Sequence, residues 1–138
     1  MDYEFQLIDY AKDLTKPQQE NYNFQKVAGR LADYGFNCMR LTDDWEGADF
    51  LAVHKDGNHF LKVQLKGRLY IAKKYQGKEI YIAFRNEENI YIYPHDTMVD
   101  LIDKNLKATQ TKSWTEDGHY GFSKLPPKIK DHLEKYKI

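Results

Sequence analysis

A chain of 138 residues has the length of one ordinary domain and buries about two-thirds of its unfolded surface on folding. Hydrophobic residues make up 41% and charged residues 30% of it, which excludes a disordered chain, and no run of about 18 apolar residues exists to cross a membrane. The 21 basic and 21 acidic side chains cancel, so global charge gives no pull toward nucleic acid or an anionic membrane.

No repeat, low-complexity tract or linker divides the chain, and a single domain over 1–138 is expected. The start, Met-Asp-Tyr-Glu-Phe-Gln, carries acids where a signal or transit peptide carries cations, and the single Cys38 makes no intrachain disulfide. Both fit a reducing cytoplasm.

In chain order, Tyr3, Leu7, Tyr10, Ala11 and Leu14 fall at helical spacing and predict an amphipathic helix over 3–14. Thr15 stands three residues before Gln18, with Pro17 between them, the pattern of a capping box. Phe24, Val27, Ala28 and Leu31 continue a helix over about 16–34, which Gly35 closes in a left-handed cap. Five runs rich in aromatic or branched residues predict strands: 36–41, 49–54, 59–66, 79–84 and 90–93. The turn-forming segments 55–58 and 86–89 make antiparallel hairpins of the second and third strands and of the fourth and fifth. Asp96 is read as the cap of a helix over about 97–106, and a last helix follows Pro126-Pro127. Between 107 and 125 no period is visible, but Trp114, Tyr120 and Phe122 predict docking on the core.

Charge is segregated locally. Between Lys55 and Lys78 seven cations face one acid, Asp56, whereas Asp43, Asp44, Glu46 and Asp49 cluster just before. An acidic knot beside a basic segment suits a metal-assisted site on a polyanion, because the metal needs carboxylates and the phosphates need cations. Asp43, Asp44 and Glu46 are expected in a solvated loop, the other use for one of them being a second metal.

The hairpin permits a geometric expectation. If Asp56-Gly57 are its central residues, paired numbers sum to 113, so His54 faces His59 and Asp49 faces Gln64. Lys66 shares their face, because strand side chains alternate with period two. Asp49 and the Gln64 amide oxygen are hard ligands suited to Mg²⁺, or Mn²⁺ in its place. Lys66 is placed to orient or deprotonate an attacking water and to neutralise charge on a phosphate. Arg68, Lys73 and Lys74, interleaved with Tyr70 and Tyr75, follow directly and offer phosphate contacts and base stacking. His54, His59, His95, His119 and His132 lack zinc-ligand spacing and are read as surface or hydrogen-bonded residues.

The helix ending in Tyr34-Gly35-Phe36, the first strand, Gly47-Ala48-Asp49 and Gln64-Leu65-Lys66 together resemble the PD-(D/E)xK nuclease superfamily, over roughly residues 16–93. Restriction enzymes, Holliday-junction resolvases and some homing endonucleases share that fold. The resemblance implies an α/β core, with a central mixed sheet of about five strands flanked by helices, and divalent-metal-dependent cleavage of phosphodiesters. By position it implies that Asp49 is the metal-binding acid, Gln64 the second metal ligand and Lys66 the catalytic lysine. Relatives often add a Glu from the first helix, for which Glu20 is the nearest candidate and Gln25 a rival; the ordinary reading of Glu20 is an acid favouring the helix dipole.

Two positions depart from the pattern: Ala48 replaces the motif proline, and Gln64 replaces the usual acid, removing one negative charge from the metal site. The function this implies is a DNA endonuclease of homing, restriction or resolvase type, working as a homo-oligomer because cutting two strands needs two sites. The alternatives are a catalytically inactive nucleic-acid-binding module of the same fold, and a protein-interaction domain if Lys66 is buried in a structural pair.

Overall fold

The computed structural model describes residues 2–138, apart from the side chain of Asp44. Its elements are α1 (Tyr10–Asp13), α2 (Lys16–Ala32), β1 (Phe36–Trp45), β2 (Ala48–His54), β3 (Phe60–Lys66), β4 (Tyr70–Ala72), β5 (Ile80–Asn86), β6 (Asn89–Pro94), α3 (His95–Leu106), β7 (His119–Gly121) and α4 (Pro127–Leu133), joined by short 3-10 and π turns.

Five strands form a mixed sheet in the order β1-β2-β3-β5-β6. β3 and β5 run parallel and the other neighbours antiparallel. A parallel pair needs a crossover of about a dozen residues, and the segment between β3 and β5 supplies it, carrying β4, which pairs with β7 in a separate two-stranded sheet.

Alternation along β5 and β6 builds two cores. Ile80, Ile82, Phe84, Tyr91 and Tyr93 face α3, α4 and the small sheet. Ala83, Ile90 and Ile92 face the other way, joining Phe50, Ala52 and Val63 under Val27 and Leu31 of α2. Each fully buried side chain of this size contributes about 1.5–3 kcal/mol, so α2 on one face and α3 with α4 on the other are held chiefly by apolar contact. Among the described residues no helix is long and apolar enough to cross a membrane.

The start of α2 follows its sequence signal: Thr15 Oγ1 accepts the Gln18 N–H and Gln18 Oε1 accepts the Thr15 N–H. Trp114 is buried in the α3-side core, with Tyr120 and Phe122 packed against it.

Three expectations need correction. The helix over 3–14 shrinks to Tyr10–Asp13, because Asp9 caps it by accepting the Lys12 N–H, while Tyr3, Phe5 and Leu7 before it are exposed and have no surface to pack on. A helix of one turn repays little of its nucleation cost, and only packing would extend it. Asp43 lies in β1, not in a loop, since that strand runs on to Trp45 before turning; the side chain of Asp44 lies outside the described residues. Finally, Asp96 does not cap α3. Pro94 holds the cap position, and Asp96 accepts from His95 Nδ1 and from the Gly77 N–H, tying the helix start to the crossover.

Candidate active site

The site begins with a tight turn. Glu46 (φ 51°) and Gly47 (φ 88°) reverse the chain between Trp45 and Ala48, both with the positive φ of a type I′ hairpin. A Cβ on Gly47 would lie 2.7 Å from Ile80 Cδ1 and 2.9 Å from Tyr75 Cδ1, so no side chain fits there. Ala48 is fully buried behind it, a place where a small residue does the packing. Asp49 follows on β2.

β2 and β3 pair as Phe50↔Val63, Leu51↔Lys62, Ala52↔Leu61 and Val53↔Phe60, the register expected from the sequence. The hairpin closes through the His54 N–H donating to the His59 carbonyl at 2.9 Å. At the other end the ladder stops after Phe50↔Val63, and Asp49 Oδ2 accepts the Leu65 N–H at 2.8 Å. A side-chain acceptor there satisfies a donor that the backbone of β2 no longer reaches.

Glu20, Asp49, Gln64 and Lys66, from α2, β2 and β3, line one cavity of about 320 Å³. Gln25 is not among its walls; it lines a different groove with Ile8 and Tyr22. Gln64 Oε1 is buried and has no hydrogen-bond partner among the described residues. A buried acceptor left unpaired costs about 1–3 kcal/mol, which an incoming cation or donor would relieve.

Lys66 ends β3 with its Nζ 4.4 Å from the Tyr70 ring centroid and 5.6 Å from that of Tyr75. These ring faces attract the ammonium and limit where it swings. Tyr70 is itself anchored: the buried Tyr93 hydroxyl donates to the Tyr70 carbonyl at 2.6 Å and accepts the Tyr70 N–H at 3.0 Å. Burial pushes the Tyr70 hydroxyl above its ordinary pKa, and that of Tyr93 far above. Both stay neutral at physiological pH.

Arg40 and Asn23 also line it, along with Leu65 and Gly67, and neither of the two stands out in the sequence. The Arg40 guanidinium lies 5.4 Å over the Phe24 ring and donates to Asn21 Oδ1 at 3.1 Å. A helical period would have found Asn23, three residues after Glu20 on the same face. Arg40 required the β1–β2 register, in which it sits opposite Phe50 only because the pairing shifts between Trp45 and Arg40, an irregularity the turn does not signal.

Of the residues expected to meet nucleic acid, Arg68, Lys73 and Lys74 are exposed just beyond Lys66. Tyr75 is a correction: it is 3% exposed, packed against Ile80 and edge-on to His95, and cannot offer a face to a base without leaving the core. Its role is to underlie Lys66 and Lys74.

In comparisons with known proteins, no family profile matches the chain, and no curated protein matches it. Among solved structures, a bacterial homing endonuclease aligns over 88% of this chain and 94% of its own, with a TM-score of 0.50 and 14% identity. A Holliday junction resolvase from the archaeal hyperthermophile Archaeoglobus fulgidus aligns over 51% of this chain and 74% of its own, with a TM-score of 0.40 and 16% identity. The five-stranded mixed sheet with its flanking helices is thus a restriction-endonuclease-like α/β core.

Proposed function

We propose that this chain is a divalent-metal-dependent endonuclease that hydrolyses phosphodiester bonds in DNA. The observation that carries the reading is the convergence of Glu20, Asp49, Gln64 and Lys66 on one cavity, together with a Gln64 amide oxygen that is buried and has no hydrogen-bond partner among the described residues. An oriented carboxylate beside an orphaned amide oxygen is a donor set that fits Mg²⁺ or Mn²⁺, which favour oxygen ligands and keep several waters. Asp49 and Gln64 would hold the ion, with Glu20 at the mouth on α2 as a further acid. When bound, it supplies Lewis-acid stabilisation of the phosphate and favours ionisation of a water.

The protein's own groups account for the rest. Asp49 is fixed by its bond to the Leu65 N–H, so its carboxylate needs no reorganisation when substrate arrives. Lys66, held over Tyr70, brings a mobile proton and a positive charge to the same cavity. As an ammonium it orients the attacking water and stabilises charge growing on the scissile phosphate; only as a neutral amine would it take that water's proton. Arg40 adds a second cation to the lining, of a type suited to bidentate contact with phosphate oxygens. Outside, Arg68, Lys73 and Lys74 extend the positive surface along which a DNA backbone would run. The homing endonuclease to which the chain is similar over most of its length acts in the same reaction class, and a homo-oligomer would supply a second site for the second strand.

The test is a plasmid-nicking assay on the purified protein with Mg²⁺, Mn²⁺ and excess chelator. Metal-dependent nicking that disappears in Lys66→Ala, with DNA binding retained, is the expected result. If the wild type nicks neither DNA nor RNA with either metal and calorimetry detects no metal binding, the catalytic reading gives way to a nucleic-acid-binding module.

A further inference from the structure

At the far end of the β2–β3 hairpin, five residues along the strand from Asp49 and thus about 16 Å away, three metal-ligating side chains meet. His54 Nδ1 lies 3.2 Å and His59 Nδ1 2.6 Å from the same oxygen, Oδ2 of Asp56. The three atoms all fall within 4.8 Å of one another. Bonds of about 2.0–2.2 Å to a tetrahedral Zn²⁺ place its ligand atoms about 3.3 Å apart; His54 Nδ1 already lies at that distance from Asp56 Oδ2, and His59 would swing out by less than about 1 Å to seat an ion.

We propose that His54, Asp56 and His59 form a second metal site, independent of the nuclease reading, that takes a borderline divalent transition metal of the Zn²⁺ type on two imidazole nitrogens and one carboxylate oxygen. Three features support it. The backbone fixes the ligands: Asp56 Oδ1 accepts the Asn58 N–H at 2.8 Å, and His54 and His59 are joined by a backbone hydrogen bond at the hairpin's closing pair. The His54 ring is held edge-on to Phe36, with centroids 5.0 Å apart. Most telling, the Asp56 N–H donates to His54 Nδ1 at 3.2 Å. That nitrogen therefore carries a lone pair, yet it faces the carboxylate Oδ2 at an equal distance. Oδ2 itself is paired with His59 Nδ1 at 2.6 Å, and a bound metal would take the place of the proton between them, the imidazole keeping its other N–H.

Imidazole ligands select Zn²⁺ and its neighbours over Mg²⁺, which prefers oxygen. The two sites therefore sort metals by ligand chemistry. Three protein ligands leave a fourth tetrahedral position for water or an incoming donor. A metal there would also staple the hairpin whose other end carries Asp49, Gln64 and Lys66.

The experiment uses untagged full-length protein in an Asp49→Asn background, which disables the candidate active site so that the two sites cannot be confused. Co²⁺ is titrated as a spectroscopic probe. The expected result is one equivalent bound with the visible absorption of a low-symmetry site, displaced by Zn²⁺ but not by excess Mg²⁺. His59→Ala removes an exposed side chain without touching the core, and loss of a direct ligand should weaken binding at least as much as the ~10–100-fold typical for loss of an outer-shell partner. Asp56→Asn, which keeps the side chain's shape, should weaken it as well. Absence of Co²⁺ binding, or affinity unchanged in both variants, overturns the proposal.

Discussion

Asp49 accepts the backbone N–H of Leu65 at 2.8 Å, and Leu65 stands between Gln64 and Lys66. One carboxylate thus ends the β2–β3 ladder and ties itself to the segment that carries the candidate residues Gln64 and Lys66, so its structural and chemical roles are separable only by choice of substitution. Asp49→Asn retains an oxygen for the Leu65 N–H and should leave stability within about 0.5 kcal/mol of the wild type while abolishing metal-dependent nicking. Asp49→Ala leaves that N–H unpaired in a half-buried position and should cost about 1–2 kcal/mol in a urea melt besides losing activity. Equal stability of the two variants would show that the hydrogen bond contributes nothing.

Gln64 gives the sharpest metal test. Its buried Oε1 has no partner among the described residues, so Gln64→Met should raise the stability of the metal-free protein by about 1 kcal/mol and remove Mg²⁺ binding. Gln64→Glu places a second carboxylate near Asp49. It should lower metal-free stability by like-charge repulsion, tighten Mg²⁺ or Mn²⁺ binding and retain cleavage. Calorimetric titration and thermal melts across a Mg²⁺ series read both effects, because a ligand bound only by the native state raises Tm with its concentration.

For the DNA interface, Arg68, Lys73 and Lys74 are exposed in the structure and Tyr75 is not. Substituting the three cations by Gln should reduce the slope of log K against log salt by about 0.9 for each phosphate that is no longer neutralised. Tyr75→Phe, by contrast, should leave that slope unchanged. A slope unaffected in the triple variant would exclude the crossover segment as the DNA-binding surface.

Elements whose signals are local were legible in the sequence. The Thr15–Gln18 box and the Phe24 to Leu31 period located α2, and turn chemistry around Asp56-Gly57 gave the register of the β2–β3 hairpin as far as Phe50 and Val63. What was missed depends on contacts distant in sequence. β4 is three residues long and exists only by pairing with β7 some fifty residues later. Tyr75 reads as an exposed aromatic among lysines until β5 and the Gly47 turn close over it. Arg40 enters the cavity only through the β1–β2 pairing, and the spacing of His54, Asp56 and His59 matches no common zinc pattern until the hairpin brings the three together. Tyr3 and Leu7 misled in the opposite sense, since helical spacing without a surface to cover does not make a helix.

His95 provides a pH prediction on the opposite side of the sheet from α2. It is buried; its Nε2 accepts the Ala72 N–H at 2.9 Å and its Nδ1 donates to Asp96 Oδ1 at 2.9 Å, which defines a neutral imidazole. Burial lowers its pKa from the ordinary 6.5, and the bond to Asp96 offsets this only in part. Below pH 6.5 the unfolded chain therefore binds a proton that the folded chain refuses, and stability falls as pH drops from 6.5 toward the depressed native value. Protonating Nε2 would also turn the acceptor of the Ala72 N–H into a donor, loosening β4 and with it the Tyr70 and Tyr75 platform under Lys66. Urea melts between pH 7.5 and about pH 5 should show this loss in the wild type before most carboxylates titrate. His95→Gln keeps an oxygen for the Ala72 N–H but cannot titrate, so its stability should be lower at neutral pH and flatter across the same range. An identical pH slope in both proteins would assign the acid sensitivity to other groups.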